Sequence, residues 1–408
     1  MPTSLPSCLA DGAGQWVPSP SPTLSPLYDR GPAASKTGGL PFPQWSKHDS
    51  RLCAPHPSSV AHTWKPACTH PLLDIPHRDL PAHFCRRLAG TRILIVGDSI
   101  QMQWFYALAS WLNVALRRRG PTNHTHSAAT TASGIPWSPS TSGSGLAPGA
   151  TYDTFESCGA VSPVGDTSNA TSVVSFDIAG RVHVCPEGSV SLHYLRNLHA
   201  AVNHSTDTAH VVGSNSRSCI ADPADRHQPW LAAATQSDVV VLGAGAHYVQ
   251  DHLLAANVDR TLAALARLPN KPRVLWRGTA AAIPHCRGLP DPLESPVTFE
   301  GGKCVHARHP FAAIKRMRKA CDEAHGYHWH RFQAQSQLVR RLVEAAGHAY
   351  IDTYVQTALR PGGRWFNIYN YQNDCLHWCF PGPADEWSRL LMVWLLNAHG
   401  PATREKRR

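Results

Sequence analysis

The apolar residues of the chain fall into short blocks with two different periods. Residues 92–96 (Arg-Ile-Leu-Ile-Val) are aliphatic without polar alternation, which predicts a strand buried on both faces. Beyond Gly97-Asp98-Ser99 the spacing changes, and Trp104, Leu108, Trp111, Leu112 and Ala115 share one face of a helix. Further strands are expected at 189–194, 238–242, 273–276 and 349–351. Amphipathic helices are expected at 253–268, 311–325 and 332–346. Strand alternating with helix predicts an α/β domain of three layers, with a mostly parallel central sheet and helices on both faces.

The remaining stretches lack either period. Residues 1–50 are rich in Pro, Ser and Gly and are expected to be disordered, ahead of a domain spanning 51–398. Within it, about 120–180 reads as a loop-rich insertion dominated by Thr, Ser, Gly and Pro. Residues 399–408 form a basic tail.

Composition narrows the setting. At 42% hydrophobic, 408 residues can bury a large core. The formal charge is +10, but the basic runs at 117–119 and 404–408 read as a helix end and a solvated tail, so nucleic acid is not expected as a partner. Twelve cysteines occur together with sequons at Asn123, Asn169 and Asn203, which points to an oxidising, glycosylating compartment, the Golgi lumen or the exterior. Residues 1–50 contain no apolar run suited to a signal peptide or membrane span, so any anchor is expected upstream of this chain. Cys375 and Cys379 are the one close cysteine pair, which argues against a structural zinc site. They read instead as disulfide ends, with Cys286 and Cys304 as partners and the connectivity open. His325, His328 and His330 lack carboxylate or thiolate partners at ligand spacing and read as surface, so no metal is expected.

Candidate chemistry lies at the strand ends. Ser99 follows a buried strand and starts a helix, where free N–H groups and the helix dipole stabilise a developing oxyanion. It is equally well placed to be only the helix cap. A serine nucleophile needs a base and an orienting acid. Asp374 and His377 stand three residues apart, a spacing that lets carboxylate meet imidazole within a turn or helix start.

Taken together, Gly97-Asp98-Ser99-Ile100 and the late run Asp374-x-x-His377-Trp378-Cys379-x-Pro381-Gly382-x-x-Asp385-x-Trp387 resemble the trichome birefringence-like and PC-esterase family. Trp64-x-Pro66-x-Cys68, residues 239–248, Arg277-Gly278-Thr279 and Gly301-Gly302-Lys303-Cys304 follow the family order, so the resemblance spans about 50–395. It implies an SGNH-like three-layer fold and a glycan O-acetyltransferase, with Ser99 as nucleophile, His377 as base and Asp374 as orienting acid. The implied cycle is ping-pong, from an acetyl donor as co-substrate to a hydroxyl of a polysaccharide or oligosaccharide acceptor, with no bound cofactor. An acetyl esterase with the same triad and a secreted glycan-binding relative of weak activity are the alternatives.

One departure bears on activity. Relatives often carry Asn where this chain has Gly243, and losing an oxyanion donor costs about 2.7–4 kcal/mol. Backbone N–H groups of Gly243 and Gly245, or the side chain of Asn197, are the candidate replacements. His247 and Arg277, also at strand ends, are candidates for holding the sugar or acetyl carbonyl.

Overall fold

The computed structural model describes residues 7–18, 62–76, 79–117, 151–158, 176–185, 190–202, 230–248, 250–283, 286, 292–296, 298–300, 303–305, 329–367, 372–378 and 382–398. The first elements are α1 (Ser7–Ala10), β1 (Gly14–Pro18), β2 (His62–Pro66), α2 (Leu80–Arg87), β3 (Arg92–Gly97) and α3 (Ser99–Arg117). Next come β4 (Thr151–Cys158), β5 (Phe176–Val184), β6 (Val190–Arg196), α4 (Leu231–Ala234), β7 (Val239–Gly243), α5 (Asp251–Arg267) and β8 (Arg273–Arg277). The chain continues through β9 (Thr298–Glu300), β10 (Lys303–Val305), α6 (Phe332–Ala345), β11 (Ala349–Ile351) and α7 (Tyr354–Ala358). It closes with β12 (Arg364–Asn367), β13 (Gln372–Trp378) and α8 (Pro383–Ala398).

Seven strands form the central sheet in the order β11-β8-β7-β3-β6-β5-β4. Neighbours from β11 to β6 are parallel, and β5 and β4 extend that edge antiparallel. In chain order the five parallel strands run 2-1-3-4-5, a doubly wound arrangement whose direction reverses between β3 and β7. A crevice opens at the carboxyl ends of strands at such a point. Here those ends are Gly97 and Gly243, which pair directly.

The unbroken apolar strands predicted from sequence are explained by a layer on each face. Ile93 and Ile95 of β3 pack into one cluster with Trp104, Leu108 and Trp111 of α3 and Leu391 and Trp394 of α8. Leu94 and Val96 pack into the other, with Leu254 and Val258 of α5 and Val339 and Val343 of α6. Each such side chain contributes roughly 1.5–3 kcal/mol when fully buried, so both faces of β3 stabilise the fold.

Two expectations need correction. Part of the stretch read as disordered is ordered: β1 pairs antiparallel with β2, setting Trp16 opposite Trp64. The Trp16 ring meets Trp64 edge-on at 5.4 Å, its Nε1 donates to the Gln356 carbonyl, and the Arg360 guanidinium lies over its face. Five residues, Gly-Gln-Trp-Val-Pro, are too few to display a period, and their burial depends on a strand far along the chain. Likewise, the region read as a loop-rich insertion contributes β4 and much of β5, and the Thr and acidic residues of β4 suit its place at the sheet edge. The helix expected at 311–325 and the sequons at Asn123, Asn169 and Asn203 lie outside the described residues. Among the described residues, no helix is long and apolar enough to cross a membrane.

Candidate active site

The turn from β3 into α3 is built by Asp98. Its Oδ1 accepts from the backbone N–H groups of Ile100 (3.0 Å) and Gln101 (3.2 Å), which makes Asp98 the helix cap. Tyr194 Oη donates to the carbonyls of Gly97 and Asp98 and steadies the same turn from β6. Of the two roles left open by the sequence for Ser99, the side-chain cap is thus made by Asp98. With the cap supplied by its neighbour, Ser99 Oγ stands 2.7 Å from His377 Nε2.

His377 sits on β13, not in a turn or helix start. The β12–β13 register places Arg364 opposite Trp378 but Phe366 opposite Asn373, so residues 374–377 oppose Trp365 alone. This bulge breaks the two-residue alternation of the strand and re-aims its side chains. Asp374 lies in the bulged segment, and its carboxylate is outside the described side chains.

Four contacts fix this segment. Gln103, one helical turn beyond Ser99, accepts from Trp378 N–H (3.0 Å) and donates to Trp378 C=O (2.9 Å). Arg364 donates to the Leu376 carbonyl and covers the Trp378 ring with its guanidinium. Cys375 is bridged to Cys286, whose backbone N–H also points at Cys375 Sγ. Ile283 N–H donates to the Cys375 carbonyl. Of the four cysteines singled out by sequence, Cys286 and Cys375 thus pair. Cys379 and the Cys304 side chain lie outside the described residues, and a second bridge, Cys85–Cys185, ties α2 to the end of β5.

The late motif is otherwise structural. Asp385 Oδ2 accepts from Gly382 N–H and Oδ1 from Trp111 Nε1, which caps α8 and anchors it to α3. Trp387 Nε1 donates to Gln356 Oε1.

The tentative substrate residues divide. Arg277, 2% exposed, lies behind the turn: Nε donates to Gln101 Oε1, Nη1 to the Gly278 carbonyl, and Nη2 stands 4.0 Å from Asp98 Oδ1. It braces the turn from β3 into α3 from within and is buried away from any sugar. The Asn197 carboxamide closes on the Ala201 backbone, accepting from its N–H and donating to its carbonyl, while Asn197 N–H donates to Gly97 C=O. Its side chain therefore secures the loop after β6 and not an oxyanion. A Cβ on Gly243 would stand 2.5 Å from Gln101 Cδ. At Gly245, φ is +147° and a Cβ would fall 1.8 Å from Thr279 Oγ1, so only glycine fits between the loops after β7 and β8.

His247 is half-buried at the end of the loop after β7, within the fields of Asp98, His199, Arg196 and His377. Burial lowers its pKa to about 4, outweighing the attraction of Asp98. His199, hydrogen-bonded to the His247 backbone, is lowered by burial to about 4 as well. Both are neutral at pH 7 and offer hydrogen bonds without charge.

Sequence reading passed over His199, Gln101 and Gln103. The two glutamines carried a signal, since each interrupts the largely apolar helix α3, where they are buried at 0% and 4% exposure.

Residues 289–394 match the family described as PC-Esterase, the GDSL/SGNH-like acyl-esterase family found in Pmr5 and Cas1p. That span holds His377 and most of α8, while Ser99 lies ahead of it. The chain is 28% identical over 144 residues to protein trichome birefringence-like 26 of Arabidopsis thaliana, covering 31% of this chain and 29% of that protein. It is 24% identical over 201 residues to xyloglucan O-acetyltransferase 2 of Arabidopsis thaliana (40% of this chain, 45% of that one). To xyloglucan O-acetyltransferase 4 of Populus trichocarpa it is 29% identical over 146 residues (30% and 32%). The matched part spans less than half the length of each of these relatives. A solved structure of a peptidoglycan O-acetylesterase aligns over 80% of this chain and 95% of that one, at 11% identity and a TM-score of 0.33. Through its late motif, the family match over residues 289–394 and these relatives, the chain is similar to the PC-esterase family of GDSL/SGNH-like acyl esterases.

Proposed function

We propose that the protein is a polysaccharide O-acetyltransferase working through Ser99, His377 and Asp374. The observation that carries this reading is the 2.7 Å separation of Ser99 Oγ and His377 Nε2, within general-base reach. His377 takes the Ser99 proton as Oγ attacks the acetyl carbonyl of the donor. The tetrahedral oxyanion lies at the N-terminus of α3, and His377 returns the proton to the departing donor group. A sugar hydroxyl then gives its proton to His377, attacks the acetyl-Ser99 carbonyl and leaves with the acetyl group as Ser99 recovers its proton. Asp374 holds the imidazole tautomer from its own strand.

Asp98 occupies the N–H groups of Ile100 and Gln101, so the helix end offers the oxyanion the N–H of Ser99 ahead of them. Neutral His247, in the field of His377, is assigned to hydrogen-bond the acetyl carbonyl or the sugar. The acceptor class is supported by the xyloglucan O-acetyltransferases among the relatives. The Cys85–Cys185 and Cys286–Cys375 bridges support an oxidising compartment of the secretory pathway.

The test is an assay of the purified chain with an activated acetyl donor and a panel of oligosaccharides, reading acetylated sugar and free acetate together. Acetylated sugar that disappears in Ser99→Ala supports the proposal. Acetate release independent of added sugar would assign an esterase instead, and transfer undiminished in Ser99→Ala would remove Ser99 from the chemistry.

A further inference from the structure

We propose that Gln101 is a positioning residue of the acyl-transfer site: it fills the slot left by Gly97 and Gly243 and locks Arg277 to the nucleophile turn. The inference rests on the reading of Ser99 as nucleophile.

Three observations carry it. First, Gln101 joins both sides of a closed triangle. Its backbone N–H donates to Asp98 Oδ1, its Oε1 accepts from Arg277 Nε at 2.5 Å, and Arg277 Nη2 lies 4.0 Å from that same Asp98 oxygen. Carboxylate, carboxamide and guanidinium thereby constrain one another, and Asp98 in turn holds the first turn of α3 that carries Ser99.

Second, the slot is defined by volume. A Cβ on Gly97 would fall 2.2 Å from Gln101 Cγ, and one on Gly243 would fall 2.5 Å from Cδ and 2.7 Å from Oε1. Gln101 therefore lies across the paired ends of β3 and β7, and a side chain at either glycine would displace it. Gly243 is thus the counterpart of Gln101, and the two positions exchange volume.

Third, the bond outweighs its cost. Gln101 is fully buried and its Nε2 has no hydrogen-bond partner among the described residues, a penalty that an apolar residue of equal length avoids. Turning the amide over would set Nε2 against the N–H of Arg277, donor against donor, so Oε1 is fixed as the acceptor. What the carboxamide supplies that an apolar chain lacks is this grip on a buried cation. Gln101 reaches the chemistry through Asp98 and Ser99, so its loss should lower kcat and leave KM unchanged.

The experiment combines kinetics with a thermal double-mutant cycle on the full chain. Gln101→Met keeps the volume and removes the acceptor; a fall in kcat of about tenfold or more at constant KM is expected, as for a misplaced nucleophile. In the cycle, Gly243→Ala should lower Tm markedly in the wild-type background and far less beside Gln101→Ala, because the slot is then empty. Wild-type kcat in Gln101→Met, or strictly additive Tm shifts in the cycle, would overturn the proposal. Ser99→Ala is assayed in parallel. Turnover retained there would defeat the nucleophile reading, while the Tm cycle, which needs no activity, would still judge the packing of Gln101 against Gly243.

Discussion

Gln103 holds the backbone of Trp378 at both ends of its carboxamide, accepting from the N–H at 3.0 Å and donating to the carbonyl at 2.9 Å. One residue before Trp378 is His377, and four residues before Gln103 is Ser99. The double bond between helix α3 and strand β13 thus sets the register of hydroxyl and imidazole across 278 residues of sequence.

Gln103→Leu keeps the bulk of this side chain and removes both bonds, leaving a buried N–H and C=O without partners. Each costs about 1–3 kcal/mol. The variant should lose several kcal/mol in urea denaturation, and kcat should fall far more than KM changes, because it is the hydroxyl–imidazole pair that is displaced.

The Cys286–Cys375 bridge spans 89 residues and anchors the same strand two residues from His377. In the chain-entropy account, closing a loop of that length is worth about 4.5 kcal/mol. Cys375→Ala should lower Tm substantially and reduce turnover, whereas Cys85→Ala, remote from β13, should lower Tm with less effect on the residual kcat.

The pH dependence of stability follows from His199 and His247. Both have folded pKa values of about 4, below the ordinary 6.5, through burial. The unfolded chain therefore binds their protons first as pH falls, and their contribution, complete above 6.5, is lost between 6.5 and 4. Asp352 runs the other way, since burial raises its pKa from 3.8 to about 6 and its contribution fades as pH rises through that interval. Replacing both histidines with Gln should flatten the fall in Tm on the acid side, and Asp352→Asn should steepen it. Thermal melts from pH 4 to 7 read both effects.

Trp16 is 8% exposed and tied to β2, Gln356 and Arg360. Trp16→Ala should cost about 3–5 kcal/mol, as buried aromatic truncations do. Removing residues 1–18 should cost at least as much, measured by chemical denaturation. A tail with no structural role would leave stability unchanged.

The parts of the fold legible in sequence were those whose signal is local. Strands β3, β7 and β8 were readable because both their faces are covered, so their central residues are apolar without alternation. The helices α5 and α6 were readable because one face alone is covered. The antiparallel strands at the other end of the sheet were not, since β4 carries Thr, Asp and Glu, β5 carries Asp, Arg and His, and they owe their conformation to pairing with one another and with β6. In the site, Ser99 and His377 were identifiable because chemistry restricts the residue types, and the structure brings their side chains together. The supports were misjudged for a different reason. Arg277 and Asn197 stand at strand ends, as substrate groups do, and only three-dimensional packing turns the first toward Asp98 and Gln101 and the second toward Ala201. Gln103 stood out only as a polar residue in an apolar helix, and its partner, the backbone of Trp378, leaves no mark in a sequence.

The order of strands in the sheet has a temporal side. Ser99 leaves the ribosome 278 residues before His377, an interval of about 14–56 s at ordinary synthesis rates of 5–20 residues per second. During that time β3 and α3 can exist, but the imidazole does not, and a lone serine hydroxyl at neutral pH is a poor nucleophile. Under the proposed mechanism the nascent chain is thus chemically silent towards acyl donors. Reactivity would arrive only with β13 and α8, when most of the described fold that surrounds the site is already made.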